Sequence, residues 1–279
     1  MGINPTNFFI TNSPKLDTLA QRFGNYSSGI TKSNIEHFIS QFEPQDMATA
    51  LKLLENIDYY DGPRITNLAR SLGNEIKAVT NNQLNDVLFY PIKPSYGTST
   101  ESVQRKLRQT LSLTPAQRQE FNRKFIGVSQ FTQLLQDSHP KQIVFLDDFI
   151  GSGDTVIRTW GNLQAYENDE HEYYVAVYVA YEDAIKRIEE ETLCRFEVIA
   201  ARTLHESDRS FNTNNTIFTQ PEKEVLKKYC GKLHNRTEHQ YGHRNGQSLV
   251  IFSERAPNNA LPILHQATQQ WIPLFPRNL

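Results

Sequence analysis

In Ile143-Val144-Phe145-Leu146-Asp147-Asp148-Phe149-Ile150-Gly151-Ser152-Gly153-Asp154-Thr155-Val156 an apolar run meets two adjacent carboxylates, a turn of small residues, and then a helix start. Consecutive apolar positions fit a strand covered on both faces, as in a parallel sheet. In such sheets ligands gather at the carboxyl ends of the strands, where this stretch puts its polar groups. The Gly151–Thr155 turn presents backbone N–H groups at a helix N-terminus, a favourable seat for a phosphate. Glycine permits close approach and unusual φ, and Ser152 and Thr155 add hydroxyl donors.

Working outward, further apolar runs stand at Val87–Pro91, Tyr173–Tyr181, Phe196–Ala201 and Leu249–Phe252. Between them lie amphipathic segments at Val103–Leu111, Gln130–Leu135, Thr155–Leu163 and Asp183–Glu191. That alternation predicts an α/β fold, a mostly parallel sheet flanked by helices. Residues 31 to 80 read instead as helices. Ser33-x-x-Glu36 is a capping box ahead of the stripe Ile35, Phe38, Ile39, Phe42. A second helix starts near Pro44, and a third opens at Gly62-Pro63. The expected organisation is an N-terminal helical module over residues 1–80 and an α/β core over 81–279. Within the core, residues 205–245 read as a polar excursion at the sheet edge carrying one helix, Glu222–Tyr229. The proline-rich tail is expected to pack down through Trp271, Leu274 and Phe275.

With 279 residues, 38% of them hydrophobic, the chain can bury a core without disulfide or metal staples. Lys+Arg 29 against Asp+Glu 31 leaves −2, too balanced for a polybasic nucleic-acid binder. Two cysteines make no disulfide framework and point to a reducing compartment. No apolar stretch reaches the roughly 18 residues of a spanning helix, and the start lacks a secretory pattern. The chain therefore reads as a cytoplasmic globule with no membrane partner.

The acidic pair decides which phosphate ligand is plausible. A dinucleotide fold places glycines, not carboxylates, before its pyrophosphate, and no lysine follows these glycines as in G-x-x-x-x-G-K-[ST]. A phosphate with vicinal hydroxyls a few ångströms away suits carboxylates that accept from hydroxyls and amides that hold an anion. That description is a ribose 5-phosphate. The alternative is an ordinary strand-to-helix turn with capping acids.

On these residues the sequence resembles the phosphoribosyltransferase family, whose motif for 5-phosphoribosyl 1-pyrophosphate (PRPP) is an apolar strand, two acids, two apolar residues and a Thr/Ser/Gly loop. The resemblance implies that Asp147 and Asp148 contact the ribose hydroxyls and that Gly151, Ser152, Gly153, Asp154 and Thr155 wrap the 5′-phosphate. Gly151 and Asp154 depart from the usual pattern. An acid beside a phosphate is tolerable where it points away or caps the helix. The family also has an earlier loop for pyrophosphate, here Lys93, Ser95, Gly97, Thr98 and Ser99, with Thr98-x-x-Glu101 as a capping box. Lys93 joins Asp147 and Asp148 as a candidate catalytic residue. Mg²⁺, bound through PRPP and water, is the implied cofactor, and no dedicated metal cage is expected. Thr114–Arg123 is a candidate lid. The tail, with Glu254–Asn259 and Trp271–Arg277, resembles phosphoribosyltransferase-like proteins of bacterial conflict systems found beside retron reverse transcriptases, which implies an anti-phage effector. Transfer or cleavage at the anomeric carbon is the expected activity. The alternative is a catalytically silent nucleotide sensor that docks a protein or nucleoprotein partner through the N-terminal helices or the basic excursion. An oligomer is left open.

Other constellations weigh less. Cys230, His234, His239 and His243 match no standard zinc spacing. Residues 222–246 hold six Lys/Arg and three Glu, a surplus of +3 that reads as a solvated basic face. His205 reads as structural. Asn258 and Asn259 read as turn residues against Pro257, with a base-edge contact as the alternative. Residues 31–80 carry 5 − 7 = −2, which disfavours a DNA-binding reading of the helices.

Overall fold

The computed structural model describes residues 4–81, 87–92, 99–111, 141–164, 169–233 and 236–277. The first elements are α1 (Pro5–Phe23), α2 (Lys32–Ser40), α3 (Met47–Glu55), β1 (Asp58–Tyr60) and α4 (Gly62–Val79). Then come β2 (Val87–Pro91), α5 (Ser99–Thr110), β3 (Gln142–Ile150), α6 (Asp154–Leu163), β4 (Glu172–Tyr181), α7 (Glu182–Glu191) and β5 (Phe196–Leu204). The last are α8 (Gln220–Gly231), β6 (Val250–Phe252) and the single turn α9 (Pro262–His265). They fall into two compact units, residues 1–63 with 207–279, and residues 64–206. The division differs from a break at residue 80, because α4 groups with the sheet and the C-terminal third groups with the first helices.

The unit of residues 1–63 and 207–279 is built around aromatic packing. α1 is capped by Asn4, whose side chain accepts from the Thr6 amide at 2.9 Å, and Pro5 occupies a first-turn position whose N–H would be spare. The helix continues through Pro14 and buries Leu16, Leu19 and Phe23. α2 begins two residues earlier than the Ser33/Glu36 pattern indicated. Thr31 and Asn34 form the reciprocal cap instead, with the Thr31 amide donating to Asn34 Oδ1 at 2.8 Å. Both frames bury Ile35, Phe38 and Ile39, so the apolar stripe could not separate them. Phe275 sits edge-on to Phe23 and Tyr26 at 5.1 and 5.2 Å, and Trp271 meets Phe42 at 5.3 Å. The tail is therefore packed down, as its composition suggested.

Two sequence expectations change here. Leu249–Phe252 does not join the main sheet: Val250–Phe252 pairs in parallel with Asp58–Tyr60 as a separate two-stranded sheet. A run this short carries no information about its partner. The polar stretch after residue 206 is not an appendage of the main sheet either, because α8 buries Leu226, Tyr229 and Cys230 in the same core as α1–α3. Some of its cations are committed inside the unit. Lys223, 4% exposed, donates to the carbonyls of Asn212 and Asn215, and Lys228 pairs with Glu43 and Asp46. Cys230 is buried, which pushes its thiol up to about 12, and both cysteines are free.

The unit of residues 64–206 holds a four-stranded parallel sheet in the order β2-β3-β4-β5. Every residue from Ile143 to Ile150 and from Tyr173 to Tyr181 is buried, as the continuous apolar runs predicted for doubly covered strands. Trp160 of α6 lies edge-on to Tyr173 and Phe196 at 5.2 and 5.0 Å, and Phe196 meets Phe145 at 5.2 Å. This cluster fixes α6 on the face of the sheet that carries Phe145. Among the described residues no helix is long and apolar enough to cross a membrane.

Phe275, fully buried among rings, defines a test of the tail. Phe275→Ala is expected to lower unfolding stability by about 3–5 kcal/mol in urea titration. Ile272→Ala, at a side chain 59% exposed, should change it by no more than about 0.5 kcal/mol.

Candidate functional site

β3 does not stop at the acidic pair. It continues through Phe149 and Ile150, so Asp147 and Asp148 occupy interior strand positions, 2% and 6% exposed. Side chains alternate along a strand, which sends Asp147 to the face of Phe145 and Asp148 to the face of Leu146. Asp147 Oδ1 also accepts from the Asp148 amide at 3.0 Å, a local bond that fixes its rotamer.

The strand is followed by Gly151-Ser152-Gly153 and the first turn of α6. Gly153 is the N-cap with φ +78°, and a Cβ there would lie 2.9 Å from Ile188 Cγ1 and 3.3 Å from the Ala184 carbonyl. Conformation and space both demand glycine at this position. Having no side chain, it leaves the first-turn amides of α6 uncapped from that position, and those amides have no partner within the helix. Ser152 Oγ accepts weakly from the Asp154 amide at 3.5 Å.

Asp154 was the awkward residue in the sequence. Its carboxylate turns to Arg187 of α7, Oδ1 to Nη1 2.7 Å, and the same nitrogen donates to the Ser152 carbonyl at 2.7 Å. One guanidinium thus neutralises the acid and pins the loop from the side of α7. The sequence reading missed Arg187, which lies 33 residues from Asp154 and stands out by no local pattern.

The end of β2 comes alongside the acidic pair. The Ile92 amide donates to the Leu146 carbonyl at 3.2 Å, and Thr159 Oγ1 of α6 donates to the Ile92 carbonyl at 3.2 Å. The residue before Lys93 is therefore bonded to the residue before Asp147. Lys93, Ser95, Gly97 and Thr98 lie outside the described residues, as does the candidate lid Thr114–Arg123. Ser99 opens α5, a helix that carries Arg105, Lys106 and Arg108.

A second feature sits at the carboxyl ends of β4 and β5. Glu182, directly after β4, and His205, directly after β5, approach to 3.0 Å (Oε2 to Nδ1), and both are exposed. The Lys186 ammonium, hydrogen-bonded to Glu182, holds its carboxyl below the usual range, with His205 adding to the effect. The sequence set His205 aside as structural, since nothing along the chain links it to Glu182. Asn259 behaves as the turn residue it was read to be: 4% exposed, it donates to the His243 carbonyl at 3.1 Å. No group of three or more His, Cys, Asp or Glu placed to hold a metal occurs among the described residues, and His234 lies outside them.

A parallel sheet in which an interior strand delivers paired acids to a glycine loop and an uncapped helix start is the architecture of phosphoribosyltransferase-like proteins. The chain belongs to the PRTase-CE family, whose model matches residues 35–277. No curated protein matches the chain. Among solved structures, it is similar to orotate phosphoribosyltransferase of Francisella tularensis. The identity is 16% over 61% of this chain and 80% of that one, with a TM-score of 0.33. It is also similar to a hypoxanthine-guanine-xanthine phosphoribosyltransferase, 14% identical over 56% of this chain and 85% of that one, with a TM-score of 0.31.

The loop geometry is open to direct test. Gly153→Ala should destabilise the protein by about 1–3 kcal/mol in chemical denaturation, combining left-handed backbone cost with the clash at Ile188. Arg187→Met, at a half-buried pair, should cost about 1 kcal/mol after solvent screening.

Proposed function

We propose that the chain binds PRPP or a ribose-5-phosphate moiety at the carboxyl end of β3 and acts at the anomeric carbon, by transfer or cleavage. The observation that carries this reading is the meeting of three parts at one strand end. Ile92, directly after β2, bonds to Leu146, the residue before the acidic pair, and α6 starts after the three residues that follow β3, with no side-chain cap from Gly153. In this assignment the amides of Gly151 to Thr155 hold the 5′-phosphate, because a helix N-terminus favours an anion. Pairing of Asp154 with Arg187 removes the repulsion that a free acid would bring to that phosphate. Asp147 and Asp148 accept from the pentose hydroxyls, each from its own face of the strand. Lys93, Ser95, Gly97, Thr98 and Ser99 are assigned to the pyrophosphate, whose charge grows as it departs.

For magnesium the donor chemistry fits. Two carboxylates offer hard oxygens, and Mg²⁺ keeps several waters and needs few protein ligands. Bound with the ligand, it would neutralise pyrophosphate charge. Asp147 and Asp148 would reach it one at a time or through water, since they leave the strand on opposite faces. His205, oriented by Glu182, is the candidate for moving a proton to or from the acceptor. We assign the cellular role, depletion or modification of nucleotides as an anti-phage effector, from the resemblance of the tail. Nucleotide profiling of cells expressing the wild type and the variant carrying Asp147→Asn with Asp148→Asn tests that role.

The biochemical reading is tested by calorimetric titration with PRPP and Mg²⁺, alongside pyrophosphate release over a panel of bases. Wild type should bind, and Asp147→Asn with Asp148→Asn should weaken binding about 100-fold while circular dichroism stays native, as two charge-assisted hydrogen bonds become neutral ones. Binding without pyrophosphate release would favour the silent sensor over the transferase. No binding by folded wild type would overturn both.

A further inference from the structure

The loop after β3 is held on one side by α7, and the contacts fix more than its place. Ile188 is fully buried and fills the space where a Cβ on Gly153 would stand. Arg187, the residue before it, uses both hydrogens of Nη1 on the loop. One reaches the Ser152 carbonyl and the other Asp154 Oδ1, each at 2.7 Å. Gly153 itself is buried, yet among the described residues no group accepts a hydrogen bond from its N–H. Buried backbone N–H groups are paired with few exceptions. One that the fold leaves open is available to a ligand.

The bond to the Ser152 carbonyl sets the direction of an amide that Arg187 does not touch. In a trans peptide the C=O and the following N–H point to opposite sides of the chain. The oxygen of the trans Ser152–Gly153 peptide faces Arg187, so the Gly153 N–H faces away from α7. Gly153 has φ +78° and ψ −8°, the values of the third residue of a type II turn. Rotating the central peptide of such a turn by about 180° gives a type I turn, in which oxygen and N–H exchange sides. Glycine adopts both signs of φ about equally well, so the residue itself selects neither. What selects is the partner that the oxygen finds, and here that partner is a guanidinium.

We infer that Arg187 is a positioning residue for phosphate binding: its bond to the Ser152 carbonyl keeps the Gly153 amide turned to the side that takes the 5′-phosphate. This role rests on the ribose-phosphate assignment of the loop and adds how one of the loop's donors is kept turned toward the anion. With the peptide flipped, a carbonyl oxygen would meet the phosphate where an N–H now points, and repulsion would replace a charge-assisted hydrogen bond. Arg187 also holds the Asp154 carboxylate. Its two bonds therefore serve the anion in separate ways, one by orientation and one by charge.

The test follows one peptide by NMR. The chain contains two Ser-Gly pairs, Ser28–Gly29 and Ser152–Gly153, so carbonyl-¹³C serine combined with ¹⁵N glycine reports these two amides alone in the full chain. Titrated with ribose 5-phosphate, and separately with PRPP and Mg²⁺, wild type should move the Ser152–Gly153 amide proton downfield and saturably. Ser28–Gly29 should stay in place. Arg187→Met should weaken binding of both ligands about tenfold or more, measured where the variant is folded. Adding Asp154→Asn to Arg187→Met removes the acid's charge but not the missing latch, and should recover the loss in part. Arg187's role is overturned, with the ribose-phosphate assignment intact, if the ligands bind while the Gly153 amide stays put, or if Arg187→Met binds like wild type. Full recovery in Arg187→Met with Asp154→Asn overturns it too, since Arg187 would then act through charge alone. If folded wild type binds neither ligand, the assignment itself fails and this role falls with it.

Discussion

Two carboxylates sit inside a strand that is covered on both faces. Taking a charged group out of water is expensive unless polar groups or a ligand meet it. Asp147 and Asp148, 2% and 6% exposed, stand three and two residues before the end of that strand, and the Asp148 amide meets Asp147 Oδ1 at 3.0 Å. The positions around them along the strand are Phe145, Leu146, Phe149 and Ile150. Two acids at such positions set β3 apart from the apolar strands beside it, and they lie within the stretch that the family model matches.

The loop after β3 illustrates how long-range contacts complete a short motif. Gly153 supplies the left-handed turn and the room for Ile188, while Arg187 takes the charge of Asp154 and the carbonyl of Ser152. Two residues on α7 thus shape the loop that opens α6. Rotation of that loop would require breaking a 2.7 Å ion pair and a 2.7 Å hydrogen bond together. A loop held this way has little conformational freedom left to lose.

Much of this was legible in the chain. β3 and β4 announce themselves through unbroken apolar runs, and the acid-acid-glycine order pointed to the family before any coordinates. What escaped was information that is not local. α1 falls within the helical module expected over residues 1–80, and the burial of Leu16, Leu19 and Phe23 outweighs the hydrogen bond lost at Pro14 in its interior. β1, only three residues long, has no periodicity to detect, and without it β6 looked like a strand of the main sheet. The two candidate caps of α2 differ by two residues and bury the same side chains. Arg187 and the Glu182–His205 pair become visible once the sheet aligns the ends of neighbouring strands. The extension of β3 past its acids follows from Phe149 and Ile150, which continue the apolar pattern on both faces.

The most direct measurement is a crystal structure of the chain grown with PRPP and Mg²⁺. The account predicts pentose hydroxyl oxygens within roughly 2.5–3.0 Å of a carboxylate oxygen of Asp147 or Asp148, and the 5′-phosphate on the amides of residues 151–155. A ligand bound elsewhere, with both carboxylates engaged by protein groups alone, would contradict it.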